Sequence, residues 1–165
     1  FVLFTSYAVL REVERELSTA LDYPVLVQGT APRSALLKQF RSLGNAVLLA
    51  TASFWQGVDV VGEALSCVIV DKLPFASPGD PVTAARIEAV SARGDSAFEH
   101  YQLPLAILAL KQGLGRLIRH RQDRGVLAIL DNRITKQRYG QIFFDSLPDY
   151  GFTMDRQDVE RLFNV

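Results

Sequence analysis

Short apolar runs alternate with amphipathic stretches through most of this chain. The runs at residues 1–5, 24–28, 46–51, 66–72 and 125–131 are rich in valine, isoleucine and leucine and show no polar alternation. Strands that read this way are covered on both faces, which is the arrangement of a parallel sheet between two layers of helix. Helical periodicity falls between them, at residues 7–21, 32–42, 82–93 and 103–119, with shorter stretches at 136–146 and 155–163. The order strand, helix, strand predicts an α/β fold, a mainly parallel sheet with helices on both faces. Thr30 followed by Pro32 marks the start of the second helix, with Thr30 as its N-cap. Residues 73–81 carry three prolines and a glycine and are expected to form a loop inside the fold, not a boundary between domains.

At 165 residues and 48% hydrophobic content the chain suffices for one well-buried domain, so residues 1–165 are read as a single unit. Its longest apolar runs fall far short of the roughly 20 residues that a membrane span needs. No signal peptide pattern opens the sequence, and a cytoplasmic protein without membrane contact is expected. The first residue is Phe1, as expected of a piece of a longer polypeptide. The single cysteine, Cys67, lies in an apolar run, where it reads as a small core residue and points to a reducing compartment.

Zero formal net charge conceals an uneven distribution. Residues 111–138 hold eight basic and two acidic side chains, a net of +6, and the parts on either side carry −3 each. Such a segment attracts phosphates through its local field.

That segment begins on a helix bearing Gln112-Gly113-Leu114-Gly115-Arg116-Leu117-Ile118-Arg119. At 3.6 residues per turn Gln112, Arg116 and Arg119 fall within about 60° of one another, a face suited to a polyphosphate. Leu103, Ile107, Leu110, Leu114 and Leu117 form the opposing, buried stripe. Gly113 and Gly115 each cost about 1 kcal/mol in a helix interior, so close approach of another group is expected there.

In a parallel α/β sheet ligands meet the loops at the carboxyl ends of the strands. Those ends read Thr5-Ser6-Tyr7, Gln28-Gly29-Thr30 and, after the third strand, Thr51-Ala52-Ser53-Phe54-Trp55-Gln56-Gly57-Val58-Asp59. Hydroxyls and helix N-terminal amides suit phosphodiester oxygens, and an accessible Trp55 offers a base a stacking surface. Single-stranded nucleic acid is the partner this combination favours. A G-x-x-x-x-G-K-[ST] loop is absent from the sequence, and no Asp-Glu pair follows a strand to hold magnesium. His100 and His120, the two histidines, have no evident nucleophile partner for a catalytic triad.

Together these segments resemble the second lobe of superfamily 2 DNA helicases of the DinG/XPD type, in particular the bacterial DinG-like branch that includes YoaA. Leu3-Phe4-Thr5-Ser6-Tyr7 resembles motif IV, Ala50 through Asp59 motif V, and Gln112 through Arg119 motif VI; Asp71-Lys72-Leu73-Pro74-Phe75 and Asp131-Asn132-Arg133 are similar to further family segments. The resemblance implies a RecA-like three-layer sandwich, a P-loop NTPase-like second lobe without its own P-loop. It would close on a first lobe that holds ATP and Mg²⁺. Arg116 and Arg119 would be arginine fingers, Gln112 would sense the γ-phosphate, and Gly57 and Asp59 would couple nucleotide to DNA. Ser6, Tyr7, Thr30, Thr51, Ser53 and Trp55 would contact single-stranded DNA. Gln56 replaces a common glutamate and retains hydrogen bonding without the charge. The family's iron-sulfur cluster belongs to four first-lobe cysteines, and Cys67 is not one of them. The implied protein is a monomeric 5′-to-3′ helicase. Two rival readings are a lobe that binds nucleic acid in a hydrolysis-deficient parent, and a docking platform using the acidic residues between Asp145 and Glu160.

Overall fold

Five strands, β1 (Val2–Phe4), β2 (Val25–Val27), β3 (Val47–Thr51), β4 (Cys67–Val70) and β5 (Val126–Ile129), lie within the five apolar runs and pair in the order β2-β3-β1-β4-β5. The computed structural model describes residues 1–51, 54, 65–118 and 124–163, and for Arg116 the backbone alone. Every pairing in the sheet is parallel, with Val2 opposite Leu49 on one side and Ile69 on the other.

Strand order fixes the layers. The chain leaves β1 for the edge strand β2, then returns through β3 and crosses β1 to β4 and β5. Right-handed crossovers that reverse direction must lie on opposite faces of the sheet. Accordingly α1 (Tyr7–Ala20) packs its fully buried Leu10 against Phe4, Val27 and Leu49. The other face of the same strands, including Leu3, Leu26, Leu48 and Ala50, is covered by α2 (Arg33–Leu43) through Leu36 and Phe40. Alternation of side chains along each strand divides neighbours such as Leu3 and Phe4 between the two cores. Following α3 (Pro81–Ser91), the helix α4 (Leu103–Leu117) adds Leu103, Leu110, Leu114 and Leu117 to the second core, the stripe read from the sequence.

Helix ends depart from the sequence reading in four places. Thr30 does not cap α2: Pro32 holds the cap position, and the Thr30 hydroxyl donates to the Val27 carbonyl at 2.8 Å. A π-helical turn, Phe98–Gln102, precedes α4. The stretch at 136–146 is two helices, α5 (Arg133–Lys136) and α6 (Gly140–Ser146), because the backbone turns at Gln137 and brings Gly140 against α5. A Cβ at Gly140 would stand 1.8 Å from the Ile134 carbonyl oxygen, so glycine is required there. Finally, α4 stops at Leu117 with Ile118 extended, two residues short of the expected end at Arg119. The last helix, α7 (Arg156–Phe163), buries none of its residues. No helix among the described residues is long and apolar enough to cross a membrane.

Candidate functional site

The carboxyl ends of β1, β2 and β3 are tied together by one side chain. Gln28 follows β2, and its backbone N–H donates to the Leu49 carbonyl at 2.9 Å, which continues the β2–β3 ladder. This places its carboxamide beside Thr51, the final residue of β3. Gln28 Oε1 accepts from the Thr51 backbone N–H at 2.7 Å and from the Thr51 hydroxyl at 3.0 Å. Its Nε2 donates to the hydroxyl of Tyr7, the first residue of α1. Gly29 then turns the chain at φ 95°, a left-handed conformation that favours glycine. Thr51 is buried at 7% exposure, whereas Tyr7 is 50% exposed and presents the network to solvent.

Ser6 is the N-cap of α1, its Oγ accepting from the Ala8 N–H at 3.2 Å. Thr30 is exposed and closes its own turn onto Val27. Thus Tyr7 and Thr51 are brought together, Ser6 adjoins them in sequence, and Thr30 is not joined to the network by any hydrogen bond described. Ser53, Trp55, Gly57 and Asp59, together with Gln56, Arg119 and His120, lie outside the described residues. Gln28 is the site residue that sequence reasoning passed over. Its one signal was a polar side chain at the end of an apolar run, just before a glycine.

A second polar region occupies the middle of the same edge. Thr5, Lys72, Pro74, Gln112 and Gly113 line a cleft between the ends of β1 and β4 and helix α4, with Leu3, Val70 and Leu110 forming its apolar floor. Gln112 is exposed and Arg116 follows one turn later on the same helix. Gln112 and position 116 therefore share one helical face, and Arg119 lies outside the described residues. Gly113 is buried, whereas a Cβ on Gly115 would meet nothing within 4 Å. The close approach expected at both glycines has no described neighbour at Gly115.

Asp131 holds the wall of this cleft in place. One carboxylate oxygen accepts from the Leu73 N–H at 2.9 Å, and the pair of oxygens receives Arg133 through Nε at 2.9 and 3.0 Å and a terminal nitrogen at 2.6 Å. Arg133 in turn lies over the Phe75 ring, 5.5 Å from its centroid. Hydrogen bonds from the Arg133 side chain, opposed by burial and assisted by the Leu73 and Arg133 backbone N–H groups, lower the Asp131 pKa to about 2. The carboxylate raises the Arg133 pKa in return. Because the folded-state value of Asp131 is depressed, its contribution to stability is present above the unfolded pKa near 4 and is lost as pH falls toward 2. Asp131→Asn is expected to lower stability at pH 7 by about 2 kcal/mol and to flatten the pH dependence of stability in that acid window. Urea titrations between pH 2 and 7 measure both; an unchanged acid limb in the variant would remove this assignment.

Elsewhere in the basic segment Lys111, Arg124, Lys136 and Arg138 are exposed. Cys67 is half-buried, and burial pushes its thiol pKa up, which disfavours the thiolate.

Residues 1–150 match the helicase C-terminal domain family. The chain belongs to this family. Within it, the chain is 51% identical over 155 residues to the ATP-dependent DNA helicase YoaA of Escherichia coli, covering 94% of this chain and 24% of that protein. It is 41% identical over 157 residues to the ATP-dependent helicase DinG of Mycobacterium tuberculosis, covering 95% and 24%. Another relative, the 3′-5′ exonuclease DinG of Bacillus subtilis, is 41% identical over 152 residues, covering 89% and 16%. The chain thus spans about a quarter or less of the length of these relatives. Among solved structures, Xpd4 of S. tokodaii superposes with a TM-score of 0.62 at 22% identity, covering 88% of this chain and 28% of that one. An XPD helicase gives 0.66 at 20%, covering 88% and 27%. The parallel sheet between helices is therefore the fold of an XPD-type helicase lobe, as the motifs implied.

Proposed function

We propose that residues 1–165 form one RecA-like lobe, the C-terminal motor lobe of an ATP-dependent 5′-to-3′ DNA helicase of the DinG/XPD type. The observation that carries this reading is the family match over residues 1–150, which includes all three motif-like segments. In the full-length protein, Arg116 and Arg119 act as arginine fingers toward ATP held on the first lobe. Gln112 senses the γ-phosphate from the cleft it shares with Lys72, and Gly57 and Asp59 couple that site to DNA. The groups facing the cleft suit half of a nucleotide site: Thr5, Lys72 and Gln112 supply hydrogen-bond donors for phosphate oxygens. The chain carries no phosphate-cradling loop, so magnesium and most phosphate contacts fall to the first lobe. Bound there, ATP supplies the energy for translocation. An iron-sulfur cluster, where the parent protein has one, is likewise a first-lobe element.

Ser6, Tyr7, Thr30, Thr51, Ser53 and Trp55 form this lobe's part of the single-stranded DNA track. An exposed tyrosine at a helix start supports that assignment for Tyr7, whereas Thr51, buried with its hydroxyl donating to Gln28, would act by anchoring the side chain that holds Tyr7. The protein is assigned to the bacterial cytoplasm, acting as a monomer.

The isolated chain is expected to hydrolyse ATP negligibly and to bind single-stranded DNA weakly, with log affinity falling linearly with log salt by about 0.7 per phosphate contact. Fluorescence anisotropy across a salt series and a phosphate-release assay test this. Robust hydrolysis by the pure chain would mean that it holds a complete nucleotide site, and salt-independent binding would remove the phosphate-track assignment.

A further inference from the structure

We propose that Gln28 is a positioning residue that fixes the hydroxyl of Tyr7 as a hydrogen-bond donor directed outward, to an acceptor oxygen on the DNA single strand. The inference rests on the DNA-track reading above and follows from the valences of three groups. A backbone N–H can only donate, so the Gln28 atom 2.7 Å from the Thr51 nitrogen is the carboxamide oxygen. The remaining arm of that carboxamide is the NH₂ group, which also can only donate, and it meets the Tyr7 hydroxyl. Tyr7 oxygen is therefore the acceptor of this bond, and its own hydrogen must point away from Gln28. With the ring half exposed, that hydrogen is available to a ligand. A free tyrosine hydroxyl could accept as readily as donate. Here the Gln28 amide occupies one acceptor site and turns the hydrogen outward, which suits an anionic phosphodiester oxygen.

The arrangement needs an amide at position 28 and not a carboxylate. A carboxylate at position 28 would still accept from the Thr51 N–H and hydroxyl, but it would capture the Tyr7 hydrogen too and take the donor away from the strand.

A double-mutant cycle in the full-length protein tests the relay, with single-stranded oligonucleotide affinity measured by anisotropy at fixed salt. Tyr7→Phe removes the donor and keeps the ring, and is expected to weaken binding about tenfold. Gln28→Glu is expected to weaken it to a similar extent. In the Tyr7→Phe background Gln28→Glu should cost nothing further, because there is no tyrosine hydrogen left to capture. Equal losses from Gln28→Glu in both backgrounds would mean simple repulsion between the new carboxylate and DNA, and would overturn the relay while leaving the DNA track in place. Unchanged binding by Tyr7→Phe alone would overturn it as well, and that variant alters a half-exposed ring without disturbing the core, so it stands as a test even if Gln28→Glu fails to fold. A full-length wild-type protein with no affinity for single strands would overturn both the relay and the function on which it rests.

Discussion

Replacing Arg116 and Arg119 with alanine in the full-length protein is expected to reduce DNA-stimulated ATP hydrolysis by about 10³ to 10⁵-fold, the range over which arginine fingers act on phosphoryl transfer. In free energy this is about 4 to 7 kcal/mol of transition-state stabilisation. The proposed role predicts where the loss appears. Charge builds on the transferring phosphoryl oxygens in the transition state, so turnover should collapse while nucleotide affinity changes little. The fold should survive, since the turn that carries Arg116 is held by the buried Leu110, Leu114 and Leu117, none of them altered. The two single variants are not expected to add, because residues acting on one charge distribution fail together. Steady-state hydrolysis with saturating oligonucleotide, alongside nucleotide binding and a thermal melt, makes the measurement. Near-normal turnover in a folded double variant would exclude both arginines as fingers.

The largest expected effect on stability comes from Phe143. Its side chain on α6 is fully buried, and its ring meets Phe75 edge-on at 6.0 Å and Tyr139 at 6.4 Å between centroids. Phe75 also stacks on Phe98 at 5.7 Å and lies under Arg133. The ring thus joins α6, the loop after β4, the π-helical turn and the Asp131 clamp. Phe143→Ala leaves a cavity that these aromatic neighbours, each restrained by others, can fill only in part. A loss of about 3 to 5 kcal/mol is expected. Equilibrium urea unfolding should show the midpoint falling at nearly constant slope, which separates a loss of stability from a change in the unfolded state. A loss under about 1 kcal/mol would show that the cluster collapses onto the gap and that it is not the joint described here.

Strand positions were readable because a parallel strand covered on both faces is apolar throughout, and no turn signal interrupts it. The α4 stripe was readable for a related reason, since burial of one helical face imposes a period on the sequence. Helix ends were less accessible. Local pattern made Thr30 a cap, yet its hydroxyl is used by the turn that Gly29 initiates. The break between α5 and α6 depends on Gly140 packing against the Ile134 carbonyl, a contact that no local propensity encodes. At the site, polar residues after apolar runs marked Tyr7 and Thr51 correctly as strand-end groups. The part played by Gln28 was hidden because it depends on register: only the alignment of β2 with β3 sets a glutamine beside Thr51. Likewise Asp131 and Arg133 were visible as a resemblance, but their hold on Leu73 follows from the parallel pairing of β4 with β5, which brings the two strand ends together.

Strand order also constrains how this lobe assembles. β1, the first of the five strands to be synthesised, has β3 and β4 as its neighbours, and Phe4 and Leu3 feed both cores. It therefore has no partner until the polypeptide through Thr51 is available and is flanked on both sides only when Val70 follows, so every sheet contact it makes spans a long stretch of sequence. Folds built on such distant pairings close slowly and expose apolar strands meanwhile. The central strand that leads to Tyr7 is thus made before either of its neighbours and is flanked only once β4 follows, so aggregation during folding should be sensitive to changes within β1.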